Sequence, residues 1–316
     1  MSDITRAVAT LRAGGLVAFP TETVYGLGAD AANPEALARL YAVKRRPVDH
    51  PVIVHLGRAA DLDAWAETVP TAARVLADAC WPGALTLVLE RTERVPDAAT
   101  GGLDTVGLRV PDHPLALDLL RAFGGGLAAP SANRFGRVSP TTAAAVRNEL
   151  GTDVEQVLDG GPCAIGVEST IVDCTQEEPR ILREGGIPRE QVEALLGREV
   201  GVGGTTRAPG TLAAHYSPRA RVVLVAREDV RVSAEQALGA GQDVGVLGLR
   251  SDTADSPDSC VTLATPATTA DYARALYAAL RRADEVGLDV VFAVPPPVSG
   301  LGAAVVDRLK RAAASH

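Results

Sequence analysis

Tyr41–Leu56 reads YAVKRRPVDHPVIVHL, a passage from the end of a helix through a tight basic turn into an apolar strand. Lys44, Arg45 and Arg46 are consecutive, and His50 and His55 follow at once. The chain holds only two lysines, Lys44 and Lys310, among 31 basic residues. A lysine kept against such a bias toward arginine is either a remnant or a site that wants a compact ammonium in place of a planar fork. The composition of this stretch leaves both readings open.

Working outward toward the N-terminus, Asn33 and Pro34 form an N-cap and first helical position, and Leu37, Leu40 and Tyr41 continue the helix that delivers Lys44. Before it, Asp3 is expected to cap a helix with Ile4, Val8 and Leu11 on one face, stopped by Gly14–Gly15. Leu16–Phe19 reads as a buried strand. It runs into Pro20–Gly28, a polar loop at a strand end, where ligands of α/β folds bind.

Toward the C-terminus, Val52–Leu56, Leu85–Leu89, Val106–Val110, Gln156–Leu158, Ser169–Asp173 and Arg180–Leu182 read as strands. Thr71–Cys80 and Leu115–Phe123 read as helices, and Ser139–Pro140 is expected to open another that runs to Leu150. Strands and helices without strict βαβ alternation indicate an α/β fold with a mixed, twisted sheet. From Gly197 to Pro218 the chain is rich in Gly, Thr and Pro and lacks an apolar period, which reads as a linker of functional length. Beyond it, strands Val222–Val225, Val244–Leu247 and Val290–Val294 alternate with helices Thr269–Arg282 and Leu301–Ala313, as in a small Rossmann-like open sheet. The expected organisation is a catalytic domain over 1–196, a linker over 197–218 and an accessory domain over 219–316.

The 316 residues are 47% hydrophobic and 22% charged, the balance of a globular chain. Aromatics are scarce at 3%, so Val, Leu and Ala must fill the cores. A net charge of -8 argues against a broad nucleic-acid-binding face, while a local basic pocket is still permitted. Cys80, Cys163, Cys174 and Cys260 show no CxxC spacing and read as small buried residues in a reducing compartment. No run approaches the length of a membrane helix and no signal peptide opens the chain, so a cytoplasmic protein is expected.

No Walker A pattern or G-x-S-x-G elbow is present. Gly26–Ala31 fits G-x-G-x-x-A but stands apart from both its strand and its helix, so a glycine turn is the plainer reading. His50 and His55 lack the carboxylates or cysteines of a metal shell, and no metal site is expected. What remains is a constellation suited to an anion. Lys44 and Arg46 neutralise phosphate oxygens. Ser131 and Asn133 stand in a loop after a short strand and can donate to the same phosphates, and Ser139 sits at an expected helix N-terminus. Arg109 in an apolar strand needs either a ligand carboxylate or a partner Asp or Glu. Thr21 and Thr23 can position a small polar substrate. The set implies a nucleotide triphosphate beside a small carboxylate-bearing molecule.

The K-x-R of Lys44 and Arg46 with the S-x-N of Ser131 and Asn133 resembles the signature of the YrdC-like superfamily. Similar phrases surround it in order: FPTETVYGLGADA (Phe19–Ala31), WPGALTLVL (Trp81–Leu89), GLRVPDHP (Gly107–Pro114), APSANRFGRVSP (Ala129–Pro140) and GVESTIVD (Gly166–Asp173). APGTLAAHYSP (Ala208–Pro218) and GLGAAVVDRLKRAA (Gly300–Ala313) resemble the linker and accessory domain of long-form threonylcarbamoyl-AMP synthases. The resemblance implies a YrdC-like catalytic domain that makes threonylcarbamoyl-AMP and pyrophosphate from ATP, L-threonine and bicarbonate. It also implies Mg²⁺ carried by the ATP, and downstream proteins that transfer the product to tRNA.

By the same resemblance Thr23, His55, Arg109, Ala129 and Ser169 match the threonine pocket. Arg46, His50, Thr105, Ser131, Ser139, Arg183 and Tyr216 match nucleotide contacts, and Lys44 and Asn133 complete the phosphate tetrad. His215 and Tyr216 belong to a linker that folds over the active site. His50 replaces the family's usual asparagine. Ala208 and Thr211–Ala214 stand where many relatives carry Ser, Met and a basic residue. A carbamoyl-adenylate-forming enzyme would instead ignore threonine, and a non-catalytic RNA-binding module would bind RNA with steep salt dependence.

Overall fold

A computed structural model describes residues 2–210 and 216–314. The chain divides into two compact units. The first takes the chain up to Phe135, then Ser139–Ala164, then Glu168 onward to the 211–215 segment. The second takes Gly136–Val138, Ile165–Val167 and the chain after that segment.

The first unit contains, in order, α1 (Asp3–Arg12), β1 (Val17–Phe19), β2 (Gly26–Asp30), α2 (Pro34–Lys44), β3 (Ile53–His55), α3 (Thr71–Cys80), β4 (Leu85–Glu90) and α4 (Asp97–Thr100). It continues with β5 (Thr105–Arg109), α5 (Pro114–Phe123), β6 (Leu127–Ala128), α6 (Ala143–Leu150), β7 (Gln156–Val157), β8 (Thr170–Asp173), β9 (Arg180–Arg183), α7 (Arg189–Leu196) and β10 (Gly201–Val202). All ten strands join one sheet in the order β10-β9-β8-β4-β5-β3-β6-β2-β1-β7. The sheet is mixed: β3 runs parallel to β5, whereas β4 runs antiparallel to β5 and β2 to β1.

Local chemistry explains most boundaries. Asn33 Oδ1 accepts from the N–H groups of Glu35 (3.0 Å) and Ala36 (3.2 Å), with Pro34 following. The cap of α1 is Ser2, not Asp3; its hydroxyl accepts from the Thr5 N–H. Two expectations fail more instructively. Gly26–Asp30 is a strand because Gly28 lets the backbone lie against Phe19; a Cβ there would stand 2.9 Å from that ring. The helix expected from Ser139 begins only at Ala143, with Thr142 as its cap. Ser139 is therefore not at a helix N-terminus.

Period-two alternation sorts the central strands into two faces. Val52, Val54, Leu56, Leu85, Leu87, Leu89, Val106, Leu108 and Val110 all enter one large core with α2 and α3. The alternate residues face the other way. Ile53, Val88 and Ile171 form a small apolar cluster with Ala208. Val17, Phe19, Leu127 and Ala129 form another with α1 and α5. Thr86, His55 and Arg109, on that same second face, are polar and buried.

The second unit carries β11 (Arg221–Leu224), α8 (Val230–Gly239), β12 (Val244–Leu247), α9 (Arg250–Thr253), β13 (Val261–Ala264), α10 (Thr269–Glu285), β14 (Val290–Ala293) and α11 (Gly302–Ala313). Its four strands are all parallel in the order β11-β14-β12-β13. Strand β13 had no reading in the sequence because its side chains are half exposed and it lacks an apolar run. Tyr216, with φ +62°, is buried here between Tyr277, stacked at 5.6 Å, and the Arg308 guanidinium at 5.2 Å.

The end of α2 shapes the first unit's site. Arg45 adopts φ +53° at the C-cap and is exposed, while its neighbours Lys44 and Arg46 are buried. A left-handed residue strains any side chain that has a Cβ. Arg45→Gly is expected to raise stability by up to about 1 kcal/mol, and Arg45→Val to lower it by at least about that much. Urea midpoints of the two variants check this.

Candidate active site

Helix α2 ends so that the Lys44 side chain, 1% exposed, reaches the loop after β6. Its ammonium donates to the carbonyl oxygens of Ser131 and, at 2.5 Å, of Asn133. The two ends are tied again by the Phe135 N–H, which donates to the Lys44 carbonyl at 2.8 Å. An ammonium carries three N–H groups, so one remains beyond these carbonyls. Burial, then the neighbouring Arg46, hold the Lys44 pKa well below its ordinary value, against a smaller opposing pull from Glu149. An anion arriving here would favour the charged form.

Arg46 donates from Nη2 to the Pro51 carbonyl at 2.8 Å and from Nε to the His50 carbonyl at 3.3 Å, and lies 5.6 Å from the Phe135 ring centre. His50 meets the same ring edge-on at 5.4 Å. Burial and then Arg46 lower its pKa, so the imidazole favours its neutral form. Thr105 opens β5 on the same face as Gly107 and Arg109. It lies about 13 Å from Arg109 at the usual strand rise. Because Ile53 pairs with Gly107 in parallel register, Thr105 stands toward the Pro51 end of β3, where Arg46 is held.

At the other end of those strands His55 and Arg109 are register partners. Arg109, 4% exposed, donates from Nη2 to Glu22 Oε1 at 2.6 Å and from Nε to the Gly83 carbonyl at 3.2 Å. The Glu22 carboxylate also accepts from the Asp112 N–H. The partner carboxylate left open by the sequence is thus Glu22, and among the described residues the Arg109 Nη1 group makes no hydrogen bond. The His55 pKa is pushed down to about 3 by burial and then by Arg109. Its Nδ1 lies 3.4 Å from the Ile53 carbonyl. With the proton on Nδ1, Nε2 is left as an acceptor.

Thr23 shares a 2.8 Å hydrogen bond with Thr21, whose hydroxyl donates to the Val24 carbonyl. Ala129 donates its N–H to the Ile53 carbonyl. Ser169 and Thr86 share a hydrogen bond of 2.8 Å. Arg183, matched by resemblance to the nucleotide, donates to the Ser169 carbonyl at 2.8 Å and to its hydroxyl at 3.1 Å. It also donates to the Pro209 carbonyl at 2.8 Å. Ser139 donates to Glu168 Oε1 at 2.7 Å.

The structure thus joins Lys44, Arg46, His50, Ser131 and Asn133 at one end of β3, and His55, Arg109 and Glu22 at the other. Tyr216 belongs to the second unit, and His215 and Thr211–Ala214 lie outside the described residues. Sequence reasoning passed over Glu22, Thr86, Glu168 and Phe135. Thr86 had a signal: it is the one hydroxyl in the apolar run LTLVL, on the face opposite the leucines.

Residues 206–209 are fastened across the same face. Thr206 donates to Asp173 at 2.6 Å, Arg207 to the Asp49 carbonyl at 2.9 Å, and Ala208 packs on Ile53, Val88 and Ile171. Among the described residues no three of His, Cys, Asp and Glu gather as a metal site, and no helix is long and apolar enough to cross a membrane.

A family signature described as telomere recombination matches residues 9–185, and one described as threonylcarbamoyl-AMP synthase, C-terminal domain, matches residues 187–314. The chain is 42% identical over 319 residues to a threonylcarbamoyl-AMP synthase of Pyrococcus abyssi, covering 97% of this chain and 92% of that one. It is 40% identical over 324 residues to a threonylcarbamoyl-AMP synthase of Bacillus subtilis, covering 98% and 93%. The crystal structure of P. abyssi Sua5 complexed with L-threonine is similar to it with a TM-score of 0.92 at 40% identity, covering 98% of this chain and 94% of that one.

The neutral His55 has a consequence for stability. Between about pH 3 and the ordinary histidine value of 6.5, the unfolded chain binds a proton at this residue that the folded chain refuses. Stability is therefore full above that window and falls as pH drops through it. Urea titrations from pH 7 to pH 4.5 are expected to show a shallower decline for His55→Gln than for the unchanged protein.

Proposed function

The chain belongs to the long-form threonylcarbamoyl-AMP synthase family, and on that footing we propose that the buried polar face of its ten-stranded sheet is where L-threonine, bicarbonate and MgATP are joined. The support for this siting is the contact of Lys44 with Ser131 and Asn133. Two short motifs far apart in the chain meet through a buried ammonium that holds a donor in reserve.

In this reading threonine lies at the His55–Arg109 end. Arg109, oriented by Glu22, receives the substrate carboxylate on its remaining guanidinium nitrogen. The neutral His55 accepts a hydrogen bond from the substrate, and Thr23 and the Ser169–Thr86 pair take its other polar groups. Glu22 keeps Arg109 neutralised while the pocket is empty, which a solitary buried cation would need.

The nucleotide lies toward Lys44, Arg46, His50, Thr105, Ser131, Asn133 and Ser139. The strand length between Thr105 and Arg109, about 13 Å, suits a phosphate chain meeting a small amino acid. Arg183 bridges Ser169 of the threonine set and Pro209 of the segment that runs on to Tyr216, so it links substrate pocket and linker.

The chemistry begins when the threonine amine and bicarbonate give a carbamate and release water. A carbamate oxygen then bonds to the α-phosphorus of ATP, and the bond from that phosphorus to the bridging oxygen of pyrophosphate breaks. Charge gathers on the α-phosphate and the leaving pyrophosphate. Lys44 and Arg46 stabilise it there, beside the Mg²⁺ that arrives with the nucleotide. Both the carbamate and the mixed anhydride hydrolyse in water, so a linker folded over the site protects them. Proteins that transfer the threonylcarbamoyl group to tRNA would take the product, and the cytoplasm is the compartment in which they work.

Pyrophosphate release from ATP is expected only with threonine and bicarbonate together, each omission abolishing it. Arg46→Ala and Lys44→Met are expected to lower that release by at least about tenfold with the fold retained by circular dichroism. Full activity in both variants would overturn the phosphate assignment; release independent of threonine would overturn the reaction.

A further inference from the structure

A second basic feature lies outside the polar face. A small cleft of about 110 Å³ opens where the chain leaves β3 and where α5 ends, with Arg58, Asp61, Trp65, Arg94, Arg121 and Gly125 in its lining. None of Lys44, Arg46, His50, Ser131, Asn133, Glu22, His55 or Arg109 lines it, so it is separate from the site above.

Three guanidinium groups face one carboxylate in this cleft, in a chain whose net charge is -8. Among the described residues none of the three arginines has an ion pair. Arg91, close by in sequence, shows the contrast: it reaches Asp97 at 2.5 Å and Asp104 at 4.0 Å. Two of the cleft's arginines are already oriented. Arg121 is anchored through Nε to the Gly57 carbonyl at 3.3 Å, which leaves both Nη groups as donors. Arg94 lies 4.9 Å over the ring of Trp65, itself 2% exposed, and that contact holds the guanidinium at the cleft. The remaining cation, Arg58, stands on the chain just past Gly57 and is exposed.

Unpaired guanidinium groups gathered around a concavity repel one another and favour an oxyanion. Their number bears on which oxyanion fits. A carboxylate offers two oxygens, which one or two forks saturate, whereas the tetrahedral oxygens of a phosphate can engage three. The cleft is large enough to seat a phosphate group. We propose that this cleft is a second anion site that takes one phosphate group, with the rest of any larger ligand left outside in solvent.

The phosphate can belong to a free small anion or to a nucleic-acid backbone, and the test separates these. Equilibrium dialysis of the full chain with labelled inorganic phosphate, at low ionic strength in chloride buffer, reads the free anion. It is run in an Arg46→Ala background to silence the nucleotide site. Saturable binding of one phosphate per chain is expected, weakened by at least about tenfold in Arg58→Ser/Arg94→Ser. Both side chains are exposed, so the thermal midpoint of the double variant should stay unchanged, and a large fall would call for Arg58→Ser alone as the comparison. The second arm measures fluorescence anisotropy of a short single-stranded RNA. RNA binding that is lost in the same variant, with free phosphate too weak to saturate, would place the phosphate in a phosphodiester backbone. Binding of phosphate and RNA that is absent, or equal in the variant and its parent, would overturn the site.

Discussion

A single buried ammonium organises one end of the first unit's polar face. Lys44 is carried there by a helix and grips two carbonyl oxygens of a loop that follows β6, 87 and 89 residues further along the chain. Removing an ammonium from water is costly unless oxygens replace the lost solvent. Ser131 and Asn133 supply two such oxygens from the backbone. The loop is then held in one place, its side chains are presented beside Arg46, and Phe135 closes the contact under both Arg46 and His50. A lysine suits this position better than arginine because three donors radiate from one nitrogen.

The same arithmetic of buried charge governs the other end. Arg109 and Glu22 neutralise one another inside the sheet's second face, and Glu22 also caps a backbone N–H. That face holds polar groups because it lies between two apolar clusters, one built on Phe19 and Leu127 and one on Ile53, Val88 and Ala208. The opposite face is predominantly apolar and supplies the core. Apolar packing and buried polar groups are thus divided between two sides of the same strands, which lets the polar side carry unusual groups without opening the core.

Much of the architecture was legible because alternation and capping are local properties. The Asn33–Pro34 start of α2, the apolar strands around Val54, Leu87 and Leu108, and the parallel C-terminal sheet all follow from residues adjacent in sequence. The failures have physical causes. Gly26–Asp30 has the composition of a turn, and it is a strand because Phe19 needs a neighbour without a side chain. Ser139 looks like a helix cap, yet its hydroxyl is spent on Glu168, and Thr142 caps instead. Strand β13 is too exposed to show an apolar pattern.

From the sequence by itself came the α/β class, the family resemblance and the residues suited to phosphate and carboxylate, since side-chain chemistry and spacing are written along the chain. Which partner each of those residues meets was decided only in three dimensions. Whether Arg109 waits for a ligand alone or is held by Glu22 depends on a loop 87 residues away. Whether Lys44 is a remnant or a structural centre depends on two carbonyls, which are the same in every residue type and carry no sequence signal. Backbone groups acquire an identity only through position, and position is what the tertiary fold supplies.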